Sequence, residues 1–313
     1  MKKSILAVIG SGLVVAAIII VIAQLPKYVT TDIMPTQDSE KLKVIASFYP
    51  LYEFSKNIGQ DKAEVATFIP VGIEPHEWEP TSGDIFKLKE ADIFVYNGAG
   101  FEPFVQQLVD SGEYDDVIFV ESTDGITLLQ SADGEEGLNY DPHVWLDPIL
   151  AKHQVTKIKD AMVLADPQNA EYYKKNAELY NKKLDELDFK IRAELSNCNK
   201  NTFMPFHSAF TYFANRYGLS IMALSGTAPE SEATASEIKE FVDFVKENQI
   251  TVIFAEDLID PRLAEVLADE AGVQVMVLSP IEGLTNDELK AGKTYLTKME
   301  ENLQNLKVAL DCQ

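Results

Sequence analysis

Residues 167–195 read PQNAEYYKKNAELYNKKLDELDFKIRAEL, a charged stretch with no glycine and with proline only at its first position. Its apolar residues Tyr172, Tyr173, Leu179, Leu184, Leu187 and Ile191 recur at roughly helical spacing. A single helix of nearly thirty residues is about 40 Å long, enough to run the length of a two-lobed molecule. On both sides of it, short β-branched and apolar runs alternate with amphipathic stretches, the pattern of βα units around a mainly parallel sheet. Upstream, strands are expected at 44–48, 64–69, 93–97 and 117–121, with helices at 51–58, 84–91 and 101–111. Downstream, strands are expected at 202–206, 220–224, 251–255 and 274–278, with helices at 208–217, 235–248, 261–270 and 286–310. The fold class is therefore α/β: two βα lobes with mainly parallel sheets, residues 43–166 and 198–313, joined by one long backbone helix at 167–197.

The 313 residues suit two domains of ordinary size. Fifty acidic against 27 basic side chains give a formal charge of −23, and no stripe of Lys and Arg interrupts it. Phosphate binding needs a concentrated basic surface, so a nucleic-acid partner is excluded. With 46% hydrophobic and 10% aromatic residues, the chain is too apolar to be a disordered acidic polymer.

At the N-terminus, Lys2 and Lys3 precede an almost wholly apolar run from Ile5 to Pro26, about the length of a bilayer core. The run predicts a transmembrane anchor over 1–26, with its N-terminus in the cytoplasm and the rest exported. A cleaved secretory signal is the competing reading, although only Ala23-Gln24-Leu25 resembles a cleavage box. Residues 27–42, with Pro26 and Pro35 among Thr, Asp and Ser, read as a tether. Export to an oxidising space permits a disulfide, and the two cysteines, Cys198 and Cys312, are expected to pair and tie the C-terminus back to the start of the second lobe.

Three of the four histidines occupy equivalent places. His76 lies in GIEPHEWEP after the second strand, His143 in DPHVWLDP before a helix, and His207 in FMPFHSAFTYF where a strand meets its helix. All fall near carboxyl ends of strands, where open α/β sheets bind ligands. Any one alone is a loop histidine satisfied by hydrogen bonds. Together, two from one lobe and one from the other, they can meet in a shared cleft, and neutral imidazoles suit zinc and similar transition metals. His153 sits inside a helix among polar neighbours and is read as an exposed or capping residue. Three histidines with an open position also describe a catalytic zinc site, but the chain has no HExxH and no obvious general base beside a histidine.

The chain resembles the metal-binding solute-binding proteins that serve zinc and manganese ABC importers, the cluster A-I group. The resemblance runs from Lys43 to the C-terminus and rests on SFYPLYEFSKNIG (47–59), PVGIEPHEWEPTSGDI (70–85), DPHVWLDP (141–148), the 165–191 helix, FHSAFTYFANRYGL (206–219), APESEATASEI (228–238), IFAED (253–257) and VLSPIEGL (277–284). It implies a receptor, not an enzyme, with two α/β lobes bridged by a backbone helix. It further implies a metal site between the lobes with His76, His143 and His207 as ligands. Histidine at the third position is similar to the zinc proteins, so Zn²⁺ is the implied cargo, with Mn²⁺ or iron as the alternative and surface adhesion as another role in the family. The implied partner is an ABC permease, approached by a monomer at the extracytoplasmic face of the membrane.

Three departures stand out. Many members carry Asp where this chain has Ser279, and that Asp is often the fourth ligand; its loss leaves the position to water or to Glu256, Asp257 or Glu282, with Glu256 or water favoured. The segment before DPH, ADGEEGLNYDPH (132–143), is acidic and lacks the histidine-rich run of many zinc members; residues 125–139 read as a mobile, solvated loop. Finally, the chain carries an apparent transmembrane helix where many relatives are released or lipid-anchored.

Overall fold

The computed structural model describes residues 40–76, 78–131, 138–226 and 235–313. The sequence LKVIA forms β1 (Leu42–Ala46), whose side chains alternate between buried and half-buried, as one strand inside a covered sheet requires. It is flanked by β2 (Ala63–Thr67) and β3 (Ile93–Tyr96), and β4 (Ile118–Glu121) completes the order β2-β1-β3-β4. Every pairing is parallel, with Val44 opposite both Val65 and Ile93. Parallel neighbours need crossovers, and α1 (Tyr49–Gly59), α2 (Ser82–Lys87) and α3 (Val105–Asp110) supply helices for them. Thr81 and Asp84 close a capping box on α2. The carboxylate of Asp147 caps α4 (Pro148–Ala165), accepting from the amides of Ile149 and Leu150.

The long central stretch is α5 (Ala170–Glu194), 25 residues or about 37 Å, entered through a 3₁₀ turn at Pro167–Asn169. Its buried face runs Tyr173, Asn176/Ala177, Tyr180, Leu184, Leu187, Ile191, successive positions recurring every three or four residues. Leu179, counted with the apolar stripe above, falls off this face and is 52% exposed.

In the second half β5 (Thr202–Phe203) pairs with β6 (Ser220–Ile221), and β7 (Val252–Ala255) with β8 (Gln274–Val277), again in parallel. These are two separate two-stranded sheets, joined where Phe254 N donates to Met204 O at 3.0 Å just beyond β5, so the strands lie side by side as β6-β5-β7-β8, matching the order of the first sheet. The helices are α6 (Thr211–Tyr217), α7 (Ala235–Glu247), α8 (Arg262–Ala271), α9 (Asn286–Lys290) and α10 (Tyr295–Ala309). The single helix expected at 286–310 is thus two. Gly292 turns left-handed (φ 71°), and extended Thr294 starts a new N-cap whose hydroxyl accepts from Thr297 N.

Residues 41–313 form one compact unit, and its largest apolar core draws on both sheets and on α5: Val44, Phe54, Trp145, Tyr173, Leu184, Phe203, Val252 and Leu303 belong to it. Cys198 and Cys312 form a disulfide across 114 residues of chain, where Asn199 N and Lys200 N also bond to Asp311 O and Leu310 O.

The anchor expected at 1–26 and most of the tether lie outside the described residues, and β1 already begins at Leu42. Among the described residues no helix is long and apolar enough to cross a membrane, which corrects the membrane-anchored location. The longest helix, α5, carries a lysine- and glutamate-rich outer face that a bilayer would not accept. Residues 132–137 of the expected mobile loop also lie outside the described part; its ends meet as an antiparallel bridge between Gln130 and Tyr140.

Candidate metal centre

Four side chains converge at the carboxyl ends of the strands. His76 is presented by the proline-bounded loop after β2, where Trp78 N turns back to Pro75 O at 3.2 Å and the ring of Phe101 meets the imidazole edge-on at 5.0 Å. His143 follows β4 and opens the 3₁₀ turn Val144–Leu146. Asn97 Nδ2, at the end of β3, donates to Pro142 O at 2.9 Å and fixes that turn, while Gln154 orients the Asn97 amide. His207 follows β5, directly before the 3₁₀ turn Ser208–Phe210. Glu282 follows β8, next to Ile281, a non-glycine residue held at φ 59°.

Glu282 Oε1 lies 3.3 Å from His76 Nε2, 3.2 Å from His143 Nε2 and 3.6 Å from His207 Nε2; the last two nitrogens are 3.3 Å apart. One ligand atom from each of the four residues falls within 4.8 Å of all the others. Zinc–nitrogen bonds of about 2.0–2.1 Å in a tetrahedron give ligand–ligand edges of about 3.3 Å. The distances around Glu282 Oε1 match such edges. His143 and His207 are fully buried and Glu282 nearly so, while His76 is the least enclosed.

The far sides of two rings are fixed by carboxylates. Asp141 Oδ1 accepts from His143 Nδ1 at 2.8 Å and from its backbone N at 2.9 Å. Glu256 Oε1 accepts from His207 Nδ1 at 2.6 Å and from its backbone N at 3.2 Å. A proton held at Nδ1 leaves Nε2 as the free lone pair, aimed at the centre of the cluster. Burial disfavours charge on both imidazoles, but the carboxylates around them prevail: the pKa of His143 is raised by Asp141 and Glu282, and that of His207 well raised by Glu256 and Glu282. Burial also pushes Glu282 up, yet His76, His143 and His207 hold it well below the usual carboxylate range.

The structure brings together His76, His143 and His207, and the carboxylate that lies among them is that of Glu282; Glu256, the fourth residue favoured from the sequence, stands behind His207 instead. Both follow strand ends, β7 and β8, so the strand-end rule that singled out the histidines also pointed to Glu282. Asp141 was missed, although an Asp two residues before a histidine readily reaches that residue's backbone N–H. The Oγ of Ser279 accepts from Ile281 N at 3.2 Å and shapes the turn that carries Glu282. His153 Nε2 bonds to Asp124 O at 2.8 Å, away from the site.

Among the described residues, a buried cluster of three imidazoles and a carboxylate lies at the strand ends of a parallel α/β fold, an arrangement that suits a receptor for a metal solute. The chain belongs to the family described as zinc-uptake complex component A, periplasmic, which matches residues 44–309. The high-affinity zinc uptake system protein ZnuA of Bacillus subtilis is 37% identical over 281 residues, covering 87% of this chain and 88% of that protein. The zinc-binding lipoprotein AdcA of Streptococcus pneumoniae is 38% identical over 285 residues, and there the match spans only 57% of the relative's length. Among solved structures, the Zn(II)-bound ZnuA-like domain of that AdcA superposes with a TM-score of 0.77 at 39% identity, covering 87% of this chain and 99% of the domain. The laminin-binding protein Lmb of Streptococcus agalactiae, described as a bifunctional protein with adhesin and metal-transporting activity, superposes with a TM-score of 0.79 at 32% identity over 87% of this chain and all of that one.

Proposed function

We propose that this protein is the extracytoplasmic receptor of a zinc importer, binding Zn²⁺ as cargo through Nε2 of His76, His143 and His207 and one oxygen of Glu282, and passing it to an ABC permease. The observation that carries this reading is the convergence of three imidazole nitrogens on one carboxylate oxygen at 3.2–3.6 Å, with two of the rings already oriented from behind. Family membership supports the receptor class and the permease as partner. Three nitrogens and one oxygen favour Zn²⁺ over Mn²⁺, which prefers more oxygen.

Titration of the purified protein with Zn²⁺ tests the assignment. Tight one-to-one binding that is lost in His76→Ala plus His207→Ala supports it, and unchanged binding in that double variant sinks it. Growth under zinc limitation separates uptake from adhesion, since a strain lacking only an adhesin grows normally.

A further inference from the structure

Glu282 sits on a short connection between β8 and α9, and the residue before it occupies the left-handed region that β-branched side chains avoid. A backbone of that kind persists only where its surroundings hold it. The holding comes from α10. Asn302, 3% exposed, grips Ser279 from both sides: its Oδ1 accepts from Ser279 N at 2.8 Å and its Nδ2 donates to Ser279 O at 2.6 Å. One turn earlier, Lys298, also 3% exposed, reaches the other end of the connection. Its ammonium donates to Glu288, whose second oxygen accepts from Thr285 N and Oγ1, both at 2.9 Å. The same ammonium donates to Asp257 at 3.0 Å, the residue after Glu256, so one cation ties the loop behind His207 to the loop carrying Glu282.

A third member lies on the same face. Tyr295 OH donates to Trp145 O at 2.6 Å, and the Trp145 indole N–H donates to Pro280 O at 2.8 Å, which couples the His143 turn to the same connection. Tyr295, Lys298 and Asn302 are spaced three and four residues apart, the spacing that places side chains on one helix face.

We propose that Lys298 and Asn302, neither of which belongs to the cluster, are positioning residues that hold Glu282 in its one-oxygen pose and so set the site's preference for four-coordinate zinc over larger cations such as Mn²⁺. This rests on the zinc-receptor reading above. A glutamate fixed at both ends of its connection offers one oxygen at a tetrahedral edge. A slack one can swing to offer two oxygens or admit water, which suits six-coordinate ions.

The test measures Zn²⁺ and Mn²⁺ affinities of the whole protein, and the visible spectrum of the Co²⁺-loaded form, whose absorption is intense in tetrahedral and weak in octahedral coordination. Asn302→Leu is expected to weaken Zn²⁺ binding by ~10-fold or more, as loss of outer support does at metal sites. It should also narrow the Zn²⁺/Mn²⁺ ratio and dim the Co²⁺ bands. In a Glu282→Ala background the same substitution should change zinc affinity by less than about 2-fold, because the residue it acts through is gone. Lys298→Met should behave similarly, with Lys298→Arg restoring part of the effect. If Asn302→Leu does not fold, Glu288→Gln, at the more accessible end of the brace, carries the same expectation on a smaller scale. An unaltered Co²⁺ spectrum and metal ratio, or an equal loss with and without Glu282, overturns the brace while leaving the receptor assignment in place. A wild-type protein that takes up no zinc overturns both.

Discussion

Asp141 and Glu256 each accept from an imidazole Nδ1 and from the backbone of the same histidine, so each fixes a tautomer and a ring direction at once. Replacing either removes that support without removing a ligand atom. Asp141→Ala and Glu256→Gln are each expected to weaken zinc binding by roughly 10- to 100-fold while circular dichroism stays unchanged; affinities equal to wild type would show the carboxylates idle. Proton competition follows from the raised pKa values of His143 and His207. Zinc needs both imidazoles neutral, and in the metal-free protein they keep protons above the ordinary value of about 6.5. Affinity should therefore rise with pH through that region, with protons released on binding. Calorimetry in two buffers of different ionisation heat reads the release directly, and an apparent enthalpy independent of buffer contradicts it. At this scale the histidines were legible because they are few and share one kind of place in the chain. The choice between Glu256 and Glu282 was not, since both follow strands and only the fold decides which carboxylate enters the cluster and which stands behind it.

Among the elements, α5 was legible in outline because a glycine-free amphipathic run has few alternatives to a helix. Its buried face could be tested by contrast. Leu184, fully buried, should cost about 2–5 kcal/mol on truncation to alanine, whereas Leu179, half exposed, should change stability by no more than about 0.5 kcal/mol. Equal effects in urea unfolding would mean that the helix is rotated from the face described. The break between α9 and α10 was overlooked because apolar periodicity continues across it. Its signals were nonetheless present, a glycine followed two residues later by a threonine that can cap. Thr294→Ala should lower stability by about 1 kcal/mol, and because α10 carries Lys298 and Asn302, the position of that break decides whether the brace reaches Glu282.

For the whole molecule, alternating strand and helix signals were enough to indicate two similar sheets, and the repeated strand order shows that the halves are built alike. What the pattern could not reveal is how far they share one interior. A core common to both sheets and α5 leaves little room for a wide hinge, so opening is expected to be a local movement of the loops around the cluster. The disulfide closes 114 residues of the second half, and its loss should lower the melting temperature, since a loop of about that size contributes roughly 4–5 kcal/mol in the chain-entropy account. A melting temperature unchanged by reductant would count against that role. The enclosure of the cluster has a further consequence. A net charge of −23 is expected to draw cations toward the protein with little regard for identity. His143, His207 and Glu282 are buried, so an ion must shed water to reach them. Mg²⁺ holds its shell too firmly and Ca²⁺ wants more oxygens than one carboxylate gives. On the proposed reading, recruitment and choice are separated in space: the net charge draws every cation, and the buried cluster favours the ion for which three nitrogens are a fair exchange for water.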